Sequence, residues 1–212
     1  MAVARAVLLD LGVEGFDEQQ FWLYKRGGKT THESLQLLGF PEELAFQATS
    51  AWFDRIEETA WLALDHAFPP AKGALKRVRR AGFEPVIISA RRCEEAARCE
   101  LSALGLADCV GEFVVVAPTN AWAHKADALS RMNAVGFIGD AETDALAAAK
   151  AGVPFAAVCG GQRDEVFLRG QGITAIYATV DKATEALLST IRERRRPPQG
   201  PVWDGASPLS EV

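Results

Sequence analysis

The sequence predicts an α/β protein with a Rossmann-like parallel sheet core and an inserted helical cap. Three observations carry that reading. Short apolar runs recur at Val7-Leu8-Leu9, Val86-Ile87-Ile88, Val114-Val115-Val116, Gly136-Phe137-Ile138 and Ala156-Ala157-Val158, the length and composition expected of strands buried on both faces. Helix-like segments follow them, with Gly82, Gly105 and Gly152 standing just past the last turn of 71–81, 94–104 and 141–151, where a positive φ is cheap for glycine. The stretch from Phe16 to Phe68 breaks the alternation and carries no strand pattern. Strand and helix in alternation are the signature of a doubly wound core.

Within the helical stretch, Thr30-Thr31-His32-Glu33 has capping-box spacing, and Pro41 suits the opening of a long helical run to Ala67. Ten of the chain's eighteen aromatic residues (11 Phe, 5 Trp, 2 Tyr) lie here, expected to be a mini-core of large rings, or alternatively an apolar lid over a pocket. The helix predicted over 181–196 ends in arginines that complement its dipole, and Pro197-Pro198 stops it. The expected organisation is a core of residues 1–15 and 69–196, a cap of 16–68, and a proline-rich tail of 197–212 expected to be mobile or to pack on a neighbour.

A chain of 212 residues with 49% hydrophobic and 24% charged side chains can fill the core of one ordinary domain and is too apolar for disorder. The formal charge of -5 disfavours nucleic acid and anionic membrane surfaces, leaving a small molecule as the expected partner. Cys93, Cys99, Cys109 and Cys159 make no CxxC pair and have no histidine at zinc-site spacing. They read as buried thiols in a reducing compartment. Without a signal-like segment or an apolar run long enough to span a bilayer, the expected location is the cytoplasm.

The candidate chemistry lies at strand ends. Asp10 would follow the first strand at the carboxyl edge of the sheet, where open α/β folds bind ligands. Gly139-Asp140-Ala141-Glu142-Thr143-Asp144 places two acids four residues apart, one after a strand and one on the opening turn of a helix. Three carboxylates held together need a cation, and hard oxygen ligands point to Mg²⁺. Ser89 at another strand end and Lys125 on a helix add a hydroxyl and an ammonium, suited to positioning a phosphoryl group and balancing its charge.

With these four segments in this order, the chain resembles the haloacid dehalogenase-like (HAD) hydrolase superfamily. The resembling motifs are Leu8-Leu9-Asp10-Leu11-Gly12, Ile87-Ile88-Ser89, Lys125-Ala126-Asp127-Ala128-Leu129 and Gly139 to Asp144. The helical stretch resembles that superfamily's small type I cap. The resemblance implies Asp10 as a nucleophile passing through an aspartyl ester. It further implies Mg²⁺ held by Asp10, the carbonyl of Gly12 and Asp140, with Asp144 behind them, Ser89 on the phosphoryl oxygens and Lys125 balancing charge. Gly12 stands where the superfamily's phosphatases carry a second Asp as general acid and base, a role worth about 10²–10⁴ in rate. Glu14, His32 or His124 is then the candidate substitute. The implied activity is that of a phosphatase for a small phosphorylated metabolite. A phosphonatase- or dehalogenase-like hydrolase, for which Lys25 or Lys29 could form a Schiff base, and a catalytically silent binding module are the alternatives.

Overall fold

The computed structural model describes residues 1–68 and 70–195; the proline-rich tail expected over 197–212 lies outside the described residues. The chain opens with a helical unit: α1 (Ala2–Asp10), α2 (Glu18–Arg26), α3 (Thr31–Leu37), α4 (Glu42–Arg55) and α5 (Thr59–Leu62). The layered core follows as α6 (Ala71–Arg80), β1 (Val86–Ala90), α7 (Glu94–Ala103), β2 (Glu112–Val116), α8 (Ala121–Arg131), β3 (Phe137–Gly139), α9 (Glu142–Ala151), β4 (Phe155–Val158), α10 (Glu165–Gly170), β5 (Ile176–Tyr177) and α11 (Val180–Arg195).

The strand expected at Val7-Leu8-Leu9 is instead the second half of α1. Val3, Ala4, Val7 and Leu8 are buried while Leu9 is 53% exposed, a helical stripe rather than a two-faced strand. Three alanines in the first six residues favour that outcome. The stripe packs with Phe21, Leu35, Ala45 and Ala48 of α2, α3 and α4, so residues 1–15 belong to the helical unit and not to the sheet core. Here the capping box of Thr30 and Glu33 forms as expected. The long run after Pro41 is divided, α4 ending at Arg55 and α5 beginning at Thr59. The ring mini-core is partial: Phe21 is buried and Phe16, Phe40, Trp52 and Trp61 line the cluster, whereas Phe46, Phe53 and Phe68 are exposed.

All described strand pairs are parallel and fall into two sheets, β1-β2 and β3-β4-β5. Ile88 of β1 and Phe137 of β3 pack against one cluster of α8 and α9 side chains, Ala126, Leu129 and Ala147. One helical layer therefore spans both sheets. Ile138, one residue on, turns to the opposite face and joins Leu187 and Ile191 of α11, as the two-residue period of a strand requires. Every residue of β1 and of β3 is only half-buried, although helices cover both faces. Among the described residues, neither strand has a partner on its second edge.

The cysteines are unpaired and not buried as expected: Cys93, the N-cap of α7, and Cys99, on that helix, are exposed, and Cys109 and Cys159 are half-buried. No helix among the described residues is long and apolar enough to cross a membrane. The helical assignment of α1 is testable by contrast. Leu9→Asp should move the denaturation midpoint by no more than about 0.5 kcal/mol. Leu8→Ala should cost about 2–5 kcal/mol in the same urea titration, whereas a strand buried on both faces would suffer from both changes.

Candidate functional site

The chain turns sharply after β3, and that turn builds the most constrained group in the core. Asp144, on the first turn of α9, is 3% exposed. Its Oδ1 accepts a hydrogen bond from Lys125 Nζ at 2.6 Å, and its Oδ2 accepts from the Asp140 backbone N–H at 3.2 Å. A carboxylate this deep needs a charged partner and hydrogen bonds; here it has both. Gly139 makes the approach possible, since a Cβ at that position would lie 2.5 Å from Asp144 Cβ.

Asp140 itself faces the loop after β4, where its Oδ2 accepts from the Gln162 N–H at 2.7 Å. Gly161 is needed there because a side chain would collide with the same carboxylate oxygen. Burial holds the Asp140 carboxyl above its ordinary range; the Gln162 N–H opposes this, the Asp144 charge adds to it, and Lys125 opposes it again. Ser89 lies near the carboxyl end of β1, in register with Val115. Lys125, Asp140 and Asp144 are thus gathered, while Ser89 stands near the carboxyl end of β1 in the other sheet.

The remaining candidates lie elsewhere. Asp10 ends α1 and pairs with Arg55 of α4 at 2.5 Å, its side chain 68% exposed. The carboxylate that would be the nucleophile is therefore a partner in a surface ion pair on the helical unit. Gly12 occupies the turn after α1 at φ 80, and Glu14 is exposed in the following loop. His32 of α3 lies 3.2 Å from Glu42. His124 precedes Lys125 on α8 but lines a separate surface cavity of about 640 Å³ with Asp127 and Arg131.

Sequence reasoning missed the residues that dock the helical unit over this edge. Arg163 makes a bidentate pair with Glu142, both contacts at 2.8 Å, and donates from Nη1 to the Lys25 carbonyl at 2.7 Å. Burial pushes the Glu142 carboxyl upward, but the hydrogen bonds from Arg163 and from its own N–H, with the Arg163 charge, carry it below its ordinary range. Arg26 donates to the Cys159 carbonyl at 2.6 Å, and the Asp164 N–H donates to the Arg26 carbonyl at 3.1 Å. On the other side, the Glu57 carboxylate accepts from the N–H groups of Arg92 and Cys93 at 2.9 and 3.1 Å, a favourable place for an anion at the start of α7. Lys25 Nζ donates to Thr31 Oγ1 at 2.8 Å and sits 5.1 Å from the Trp52 ring centroid. Burial, aided by the charge of Arg163, lowers its pKa from 10.5 to about 8. The available signal was a pair of glycine-flanked basic segments, Lys25-Arg26-Gly27-Gly28 and Gly160-Gly161-Gln162-Arg163.

The described residues do not fit the expected Mg²⁺ site. No group of three or more His, Cys, Asp or Glu side chains among them could hold a metal ion. Asp144 is committed to Lys125 and to backbone, leaving Asp140 as the one carboxylate of the expected set facing the edge.

Residues 2–152 match the model of a haloacid dehalogenase-like hydrolase. The chain belongs to that family of hydrolases. No curated protein matches it. Among solved structures, a protein of Clostridium acetobutylicum described as a predicted phosphatase superposes with a TM-score of 0.66 at 18% identity, covering 89% of each chain. A haloacid dehalogenase-like family protein of Streptococcus pneumoniae gives a TM-score of 0.67 at 16% identity, over 87% of this chain and 88% of the other. The protein tyrosine kinase A of Mycobacterium tuberculosis gives 0.62 at 22% identity, over 88% of each. At these identities the shared property is the fold.

Lys125→Met should cost about 3–5 kcal/mol in a denaturant titration by stranding the Asp144 charge, and Lys125→Met with Asp144→Leu should recover most of it. Lys25 gives a signed pH dependence. With its folded pKa lowered to about 8, the unfolded chain binds more protons between about pH 8 and the ordinary lysine value near 10.4, so stability contributed by this group rises across that window. Comparing wild type with Lys25→Met by thermal melts from pH 7 to 10 should show that rise only in the wild type.

Proposed function

We propose that this family member takes the phosphoryl group of a small phosphorylated metabolite at the carboxyl edge of β1 and β3, and hydrolyses it. The observation that carries the reading is the Lys125–Asp144 pair at 2.6 Å, which fixes an ammonium beside the Asp140 carboxylate. Lys125 would balance phosphoryl charge and Ser89 would donate to a phosphoryl oxygen, both held in place before the ligand arrives. The buried Asp140 carboxyl, above its ordinary range, would accept or hold a proton at Oδ1 while Oδ2 stays with the Gln162 N–H. Lys25 and Arg26, carried by the helical unit, add positive charge near the edge and favour an anionic ligand. The descriptions of similar proteins as phosphatases agree with that ligand class.

One observation favours a second reading, a phosphoryl-binding module without turnover: Asp10 is tied to Arg55 on the helical unit. Assays on a panel of small phosphate esters, paired with inorganic phosphate binding by calorimetry, separate the two. Asp10→Asn should leave both within about twofold of wild type, since an exposed ion pair contributes little. Ser89→Ala and Asp140→Asn should each lower turnover by about 10²-fold or more. Phosphate binding that depends on Ser89 with no ester turned over would establish the binding module, and no phosphate binding at all would refute both readings.

A further inference from the structure

The outer edge of β2 ends its sheet, and the hydrogen bonds show which backbone groups it leaves free. The Arg91 N–H donates to the Val116 carbonyl at 3.0 Å, so Val116, and Val114 two residues before it, turn their N–H and C=O groups toward β1. Phe113 and Val115 therefore turn theirs outward, where no strand pairs with them among the described residues. The Phe113 carbonyl accepts from the Arg98 guanidinium at 3.4 Å, a long contact that leaves a lone pair open. Phe113-Val114-Val115-Val116 carries neither charge nor proline, the devices by which edge strands are blunted.

The helices flanking this edge say what fits it. On one face of the sheet, His124, Asp127 and Arg131 of α8 form an exposed stripe that walls the cavity beside Val115, Val116 and Ala117. Among the described residues the ion pair of α8 is Lys125–Asp144, and Asp127 and Arg131 enter none. On the opposite face, α7 presents exposed Glu95 three residues before Arg98, whose guanidinium covers the Phe113 ring at 5.6 Å from its centroid. In each helix the acid precedes the base. A stripe of that order complements its own image turned end for end, and such self-complementarity is what a two-fold interface between identical chains demands.

We propose that the outer edge of β2 is a dimer interface, occupied by the same edge of a second copy of this chain running antiparallel. With the two-fold axis beside Val114, Phe113 stands opposite Val115 of the second copy, and the two exchange N–H to C=O bonds in both directions. An axis normal to the sheet keeps each helical layer on its own face. The α8 helices then meet antiparallel, with Asp127 of each facing Arg131 of the other, and α7 brings Glu95 toward Arg98 in the same way. Because both flanks match their own images, a second copy fits this edge better than a foreign strand, which would have to meet both sets of charges independently. None of Phe113, Val115, Asp127 and Arg131 belongs to the proposed phosphoryl site, so the interface is independent of that reading.

Sedimentation velocity and amide hydrogen exchange on the full chain across a dilution series test the interface. The wild type should pass from twice the single-chain mass to the single chain on dilution, and protection of the amides in 112–116 should rise with the dimer. Val115→Pro removes an outward N–H without costing a bond to β1, and should weaken dimerisation about tenfold or more with the circular dichroism spectrum unchanged. Arg131→Glu sets acid against acid across the axis and should also weaken it about tenfold; Asp127→Arg added to Arg131→Glu reverses the order, restores the match and should return affinity to within about threefold of wild type. A single-chain mass at every concentration up to about 1 mM overturns the proposal, as does a dimer indifferent to both Val115→Pro and Arg131→Glu. Protection of 112–116 that does not change on dilution would assign the edge to a segment of the same chain, which equally overturns it. Should Val115→Pro fail to fold, the charge reversal decides: recovery in the double variant supports the antiparallel pairing of α8, and loss without recovery refutes it.

Discussion

The carboxylate of Asp144 is the constraint around which the core is arranged. A charge 3% exposed is tolerated only because Lys125 reaches it from α8 and the Asp140 N–H caps it from the strand end. Those two contacts lock the second turn of α8 to the end of β3 and the first turn of α9, which follow one another in sequence. Ala126, Ala147 and Ala148, all nearly inaccessible, let α8 and α9 approach closely enough for the pair to form. Gly139 leaves the strand end slim enough to admit the acid. The orientation of Asp140 follows, and with it the position at which the Gln162 N–H can meet its free carboxylate.

Much of the layered core was legible in the sequence because its signals are local and redundant. Val86–Ile88, Val114–Val116 and Ala156–Val158 are apolar and bounded by turn residues, and each lies within a strand of the structure. Gly82, Gly105 and Gly152 all adopt positive φ just past the helices they were expected to end. The first segment failed because Val7-Leu8-Leu9 is too short for its own periodicity to decide between strand and helix. Only the wider window, with Val3 and Ala4 one turn earlier and alanines between, reveals the stripe that packs on Phe21 and Leu35. β5, two residues long, offered no periodicity at all.

The candidate site divides in the same way. Asp140 and Asp144 were found because of their four-residue spacing after a strand, and Lys125 because it lies in a helical pattern, although α8 begins a turn earlier, at Ala121. Asp10 was misplaced together with its strand, since a residue's neighbours follow from its element. Arg26, Arg163 and Gln162 escaped notice because their roles run largely through backbone groups, and Lys25 was noticed for a different chemistry from its contacts with Thr31 and Trp52. Arg26 binds the Cys159 carbonyl and Arg163 the Lys25 carbonyl, and no residue type at the receiving end announces such a contact.

The helical unit grips the core at two separated places, Glu57 on the start of α7 and the Arg26–Arg163 group on the loop after β4. Each grip is small and places charged side chains on backbone groups, and because these contacts are partly buried, salt screens them only weakly. A body held at two points can swing about one when the other is released. Holding both therefore fixes the orientation of the helical unit over the strand ends.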